Sequence, residues 1–212
     1  MDDTAFDSAL IASALALAGT DGWRSVTVAA AARAADLPLP RARGRFPNKA
    51  AILLGFGRLA DQLALEEALD DEPVRGRLFA LLMRRFDALQ AQRDGILSVM
   101  RALPFDPCAA LLLACATRRS MRWLLQAAGV PTAGLTGELR VKGLLAVWLW
   151  ALRAWEKDDT EDLTITMAAL DAALARAEQA AGWLAGGPRA KREPEKPGSD
   201  GAGDDDGAPA TE

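Results

Sequence analysis

The stretch that most constrains the fold runs from Thr27 to Lys49 and has the sequence TVAAAARAADLPLPRARGRFPNK. Thr27 is a favourable N-cap for a short helix of small residues. Asp36, Leu37 and Pro38 break that helix, and Pro40 suits the first turn of the next one, where its missing N–H is not needed. Small residues let another helix approach closely, as the supporting helix of a helix-turn-helix requires. The stretch therefore predicts a helix-turn-helix over residues 27–46.

The remainder of the chain is also predicted to be helical, which makes the fold class all-α. Apolar residues recur at helical spacing, Ala and Leu are abundant, and there is no Tyr. We expect an N-terminal three-helix unit at residues 4–65 and a larger helical body at residues 66–185. Residues 186–212 contain no large apolar side chain. They cannot form a core, which predicts a disordered tail.

Composition argues against an enzyme. The chain has no histidine, which removes the usual general base and every His-ligated metal site. Neither a cofactor motif nor a catalytic constellation is apparent, so we expect no cofactor and no metal. The two cysteines, Cys108 and Cys115, are seven residues apart in a helical pattern, about 10 Å, which is too far for a disulfide. We expect both to be buried as small apolar side chains.

The sequence also predicts a cytoplasmic protein. Its acidic N-terminus does not resemble a signal peptide. The most apolar run, residues 143–152, is about half the length needed to span a bilayer, so we expect no membrane span.

Positive charge is concentrated near the predicted motif. The formal net charge is −4, yet residues 1–60 hold seven Lys and Arg against five Asp and Glu. A cation early in a recognition helix can bind guanine through two hydrogen bonds, and we assign this role to Arg41. Lys49 and Thr27 begin helices and are expected to contact phosphates. The competing explanation is that these arginines are only solvated surface charge.

The order of these features resembles the TetR-type regulators. A first helix is followed by Gly22-Trp23, a Thr-led small helix, a break, a short helix, the motif Arg45-Phe46-Pro47-Asn48-Lys49 and a long helix. The resemblance covers residues 4–65. Arg43 and Arg45 stand where the family commonly has a Tyr and a His that touch phosphates. The resemblance therefore implies a DNA-binding set that is completed by these two arginines and Pro40. The sequence departs from the family pattern at Pro38, Leu39 and Gly44.

The family resemblance also implies a homodimer, a nearly palindromic double-stranded DNA operator and a repressor that is released by a small apolar effector. The predicted dimer interface lies on the last two helices, and core packing is the alternative for each of its residues: Leu144, Trp148, Leu152, Trp155, Met167, Leu170 and Leu174. The predicted effector pocket lies in the middle of the body, again with core packing as the alternative: Met83, Phe86, Met100, Met121 and Trp123.

A second resemblance leaves another function open. Residues 141–177, with Trp155, Asp158-Asp159, Thr166 and Leu170-Asp171, resemble the C-terminal region of a lipid-binding family of ubiquinone biosynthesis. That family has a TetR-like fold and has lost DNA binding. The alternative function is therefore an accessory protein that binds a lipid or an isoprenoid.

Overall fold

The structure, a computed structural model, describes residues 1–66 and 72–184, so the predicted tail lies outside the described residues. The described residues form nine α-helices and no strand, and a short 3₁₀ turn at Leu103–Phe105 precedes the seventh helix. The all-α prediction is confirmed. The helices are α1 Asp3–Asp21, α2 Val28–Ala34, α3 Leu39–Arg45, α4 Lys49–Leu65, α5 Val74–Gln90, α6 Arg93–Ala102, α7 Pro107–Ala127, α8 Gly134–Glu156 and α9 Thr164–Leu184.

The predicted break between α2 and α3 is a tight helix end. Asp36 has a φ of 52°, in the left-handed region that Asp tolerates better than most residues. The Leu37 N–H donates to the Ala32 carbonyl at 2.8 Å, and the Asp36 N–H donates to the Arg33 carbonyl at 3.1 Å. This pair of bonds satisfies the last carbonyls of α2 and ends the helix. Leu37 is buried beneath the turn, so α3 leaves at a fixed angle.

The N-terminal unit is joined to the body through α1 and α6. A Cβ at Gly95 of α6 would lie 2.3 Å from the Leu15 carbonyl oxygen of α1, so only glycine permits this approach. The Trp23 backbone N–H donates to the Ser98 hydroxyl at 2.9 Å, and the Trp23 side chain is buried. The buried apolar residues of both parts belong to one cluster. The two parts therefore share one continuous core.

One ion pair is buried where α4, α5 and α7 meet. Asp61 of α4 accepts hydrogen bonds from Arg85 of α5 and from the Ser120 hydroxyl of α7. The Arg85 guanidinium also lies 4.9 Å from the centroid of the Trp148 ring on α8. Burial raises the pKa of Asp61 and lowers the pKa of Arg85, while the attraction between the two groups opposes both shifts. The pair ties the long helix after the helix-turn-helix to the body.

Most of the residues predicted for the dimer interface pack into the core of the protomer, which is the alternative that the sequence left open. Residues Leu144, Trp148, Trp155, Leu170 and Leu174 are buried, while Leu152 and Met167 are partly buried. Both long helices carry apolar residues on two faces, and the face with the bulkiest side chains packs inward because it buries the most apolar area. The outward faces of α8 and α9 hold other apolar residues: Leu139, Ala146, Leu149, Trp150, Ile165, Ala168 and Ala172.

Two further expectations about the body need correction. Cys108 and Cys115 are exposed rather than buried. Trp123 is 60% exposed and does not line an enclosed pocket. The other predicted pocket residues lie in or against the core: Phe86 and Met121 are fully buried, and Met83 and Met100 pack against the core cluster. Phe86 stacks on Trp148 with 4.5 Å between ring centroids, so core packing explains its position.

Within residues 1–66 and 72–184, no single helix combines the length and apolar character needed to cross a membrane. The segment Arg93–Phe105 and helix α7 meet that criterion only as a pair, and the pair is bent by 120°.

Candidate nucleic-acid interface

The N-termini of α2 and α4 flank an open cleft of about 430 Å³ beside α3. Both helix starts are capped by side chains. Thr27 Oγ1 accepts from the Ala30 N–H at 3.0 Å, and Asn48 Oδ1 accepts from the Ala51 N–H at 3.0 Å. The remaining N–H groups of each first turn, together with the helix dipoles, make both ends electropositive. The cleft therefore combines a largely apolar lining with two helix ends that can bind phosphates at its rim.

Two cations stand at the same cleft. Arg43 of α3 is exposed and donates a hydrogen bond to the Pro47 carbonyl. Lys49 begins α4, and its ammonium lies 5.7 Å from the centroid of the buried Trp23 ring. The structure thus brings the predicted residues Thr27, Arg43 and Lys49 together around one cleft. Their charges and the two helix ends face the same volume.

The outward face of α3 is exposed and largely unobstructed. Leu39, Pro40, Arg43 and Gly44 are exposed, while Ala42 is buried against the unit. A Cβ at Gly44 would meet no neighbour, so the surface is open there. Pro40 lies in the first turn, as predicted. This face can approach a DNA groove closely, with Arg43 as its exposed cation.

Arg41 and Arg45 turn toward the start of α1. Arg41 pairs with Asp3 at 2.6 Å, and Arg45 pairs with Asp3 at 2.7 Å. Arg45 also donates to both carboxylate oxygens of Asp7. In addition, the Arg41 guanidinium lies 4.4 Å from the centroid of the Phe6 ring. We call Asp3 and Asp7 the acidic clamp. They hold two of the three arginines on which the predicted DNA contacts depend.

The acidic clamp was not predicted, although the sequence contains a signal for it. Asp3 and Asp7 are four residues apart and therefore share one face of α1. What the sequence does not show is that this face meets α3, almost forty positions later.

Asp3 of the acidic clamp is charged at neutral pH. A hydrogen bond from Arg41 and the nearby charge of Arg45 hold the pKa of Asp3 below its ordinary value of 3.8. The hydrogen bond to Asp7 in turn raises the pKa of Arg45 above its already high ordinary value. Asp3 is thus ionised across the physiological range, and a change of pH near neutrality does not release Arg41 or Arg45 from it.

Comparison with known proteins supports the architecture. No family model and no curated protein matches the sequence. A TetR transcriptional regulator from Nitrosomonas europaea ATCC 19718 superposes with a TM-score of 0.67 at 22% identity, over 82% of this chain and 99% of that one. A TetR-family regulator from Streptomyces coelicolor gives 0.59 at 20% identity, over 87% and 85%. A TetR transcriptional regulator from Rhodococcus sp. RHA1 superposes with a TM-score of 0.56 at 16% identity, over 80% of this chain and 93% of that one. The chain has a TetR-type fold.

The TetR-type fold extends well beyond the segment in which the sequence shows the resemblance. The sequence motifs cover residues 4–65, whereas the superpositions cover at least 80% of the chain. The body therefore shares the architecture of these regulators although its sequence carries no comparable motif. Within this TetR-type fold, α3 holds the position of the second helix of the helix-turn-helix.

Proposed function

We propose that the protein is a DNA-binding transcriptional regulator. The observation that carries the proposal is the cleft between the starts of α2 and α4, where Thr27, Arg43 and Lys49 meet. Two helix N-termini and two cations around one concave surface match the backbone of DNA, which presents phosphates at regular intervals. The helix-turn-helix at residues 27–46 places α3 beside that cleft, where it can enter the major groove.

The proposed DNA contacts are of two kinds: some position the protein on the duplex, and others read the base sequence. Lys49, Thr27 and the first turn of α4 bind phosphates and fix the protein on the duplex. Contacts of this kind position the protein but carry no sequence information. Arg43 binds a phosphate as well, and the exposed face of α3 at Leu39, Pro40 and Gly44 then lies against the base edges. Arg41 and Arg45 contact DNA only after they leave the acidic clamp, so they exchange one anionic partner for another.

A homodimer completes the proposed reader. The outward apolar faces of α8 and α9, which include Leu139, Trp150 and Ile165, are available to pack against the same faces of a second copy. A two-fold dimer presents two α3 helices, so the operator is nearly palindromic. We further propose a cytoplasmic repressor, with residues 4–65 as reader and residues 66–185 as its control. Release of the DNA by a small apolar effector stays a prediction from the sequence.

Selection from a random double-stranded DNA library tests the proposal without a known operator. We expect enrichment of a nearly palindromic sequence, whose affinity falls steeply with salt because phosphate contacts release counterions. Arg43→Ala should weaken binding to all sequences and reduce the salt slope by about one. Arg101→Ala, at an exposed arginine of α6 outside both the cleft and the proposed dimer surface, is the matched control and should bind like the wild type. Failure to enrich any sequence contradicts the proposal.

A second candidate function is favoured by the acidic clamp. If Arg41 and Arg45 remain with Asp3 and Asp7, the helix-turn-helix keeps few free cations, as expected for a protein that has lost DNA binding. The chain would then be an accessory protein that binds a lipid or an isoprenoid, as in ubiquinone biosynthesis. Asp158 and Thr166, which contribute to that resemblance, hydrogen bond to each other at 2.7 Å at the start of α9. This hydrogen bond gives both residues a structural role, whichever of the two functions is correct.

A further inference from the structure

The first half of α7 presents an apolar ridge to solvent. Cys108, Leu111, Leu112 and Cys115 follow one helix face at spacings of three and four residues, and all are exposed. Leu111 is 66% exposed, and Phe105, in the 3₁₀ turn before the helix, is 73% exposed. We call these five residues the α7 ridge. Exposed apolar residues that are contiguous on a surface indicate an interaction site.

Core packing does not account for the α7 ridge. The buried residues of α7 are Ser120, Met121, Leu124 and Leu125, all in its second half. The first three turns contact the core only through partly buried side chains such as Leu113. Their outer surface is therefore apolar without any requirement of the fold of one protomer.

Positive charge surrounds the α7 ridge. Helix α7 contains Arg118, Arg119 and Arg122 and has no Asp or Glu within its 21 residues. On the other side of the ridge, the Arg24 guanidinium lies 4.3 Å from the centroid of the Phe105 ring. Glu138 of α8 pairs with Arg118 and Arg122, and Asp106 caps α7. Among these named residues the arginines exceed the acids by four to two, and Glu138 is shared by two of the arginines.

We infer that the α7 ridge docks on an anionic lipid bilayer. Leucine and phenylalanine side chains enter the boundary between headgroups and acyl chains, and arginines beside them bind the lipid phosphates. A second copy of the chain is a poorer partner, because one α7 offers no acidic residue to the arginines of another. This inference goes beyond DNA binding and does not depend on it.

Vesicle flotation of the full chain tests the inference. We expect the protein to float with vesicles that contain phosphatidylglycerol and to remain behind with pure phosphatidylcholine. Leu111→Glu together with Leu112→Glu should weaken binding at least about tenfold, because two apolar side chains no longer enter the bilayer. Both positions are exposed, so the fold should persist, as circular dichroism will show. Leu135→Glu, at a leucine of α8 that is 91% exposed, is the matched control and should bind like the wild type.

The only two cysteines of the chain lie on the ridge and provide a direct probe. An acrylodan label on Cys108 should shift its emission to the blue with phosphatidylglycerol vesicles, because the dye moves into a less polar layer. A label at position 135, in a Leu135→Cys variant without the native cysteines, should not shift. Equal binding by the Leu111 and Leu112 variant overturns the inference. So does a shift that depends on protein concentration without vesicles, because the ridge would then contact a second copy.

Discussion

At the start of α1, Asp3 and Asp7 hold Arg41 and Arg45 in ion pairs that water reaches, whereas Asp61 and Arg85 meet inside the body. The Asp3 side chain is 67% exposed, and the Arg85 side chain is only 6% exposed. Solvated pairs contribute little to stability and are exchanged easily. A buried pair cannot lose one member without leaving a charge in a medium of low polarity. The joint between α4 and the body is therefore fixed, while the arginines beside the cleft can change partners.

Removing Asp61 should produce the largest effect. Asp61→Ala leaves the Arg85 charge buried and unpaired. We expect its free energy of unfolding, measured in urea, to be about 3 kcal/mol lower than that of the wild type. Asp61→Leu combined with Arg85→Met is the control, because replacing both members with apolar residues removes the buried charge and should recover most of the loss. If Asp61→Ala were as stable as the wild type, the buried pair would contribute as little to stability as the solvated pairs of the acidic clamp.

Asp158 tests whether burial or the partner makes a carboxylate indispensable. It is fully buried just after the end of α8, and among residues 1–66 and 72–184 no ion pair to it is found. Its two oxygens accept hydrogen bonds from the hydroxyl and N–H groups of Thr160 and Thr166. Asp158→Asn puts an amide N–H₂ against these donors and should lower the free energy of unfolding by about 2 kcal/mol at neutral pH. Thr164→Ala, at an exposed residue of the same corner, is the control and should change it less.

The same residue gives a pH dependence with a definite sign. Burial opposes the ionisation of Asp158, yet the bonds from Thr160 and Thr166 prevail and lower its pKa from 3.8 to about 2. Its stabilising contribution is therefore complete above the unfolded pKa of 3.8 and is lost as the pH falls toward 2. The difference between wild type and Asp158→Asn should shrink over that interval. A difference that is constant down to pH 2 contradicts this assignment.

Features set by neighbouring residues could be predicted from the sequence. The N-cap at Thr27 and the break at Asp36, Leu37 and Pro38 depend on local hydrogen bonds and sterics, and the structure confirms them. The helical class followed for the same reason. Local interactions extend only a few residues, so a short stretch contains all the information they need.

Features set by packing between distant segments could not be predicted. Periodicity revealed an apolar stripe on α8 but not which of its two apolar faces turns inward, so Trp148 was assigned to an interface and Trp150 was overlooked. The exposure of Cys108 was missed because an apolar residue on a helix normally faces the core. Likewise, Arg41 was assigned to guanine because its partner Asp3 lies in another helix. In each case the deciding neighbour is remote in sequence.

The smallest effect on stability and the clearest effect on binding should come from the acidic clamp. In Asp3→Asn with Asp7→Asn, Arg41 and Arg45 lose their ionic partners but remain solvated, so the thermal midpoint should barely change. Both arginines then become free for phosphates, and the salt slope of DNA binding should steepen by about one for each arginine gained. Asp2→Asn, at the N-cap of α1, is the matched control because it removes an acid from the same turn without freeing either arginine. Tighter binding by the clamp variant alone would show that Asp3 and Asp7 compete with DNA. Unchanged binding would mean that Arg43 and Lys49 suffice and that Arg41 and Arg45 belong to the fold, as Arg85 does.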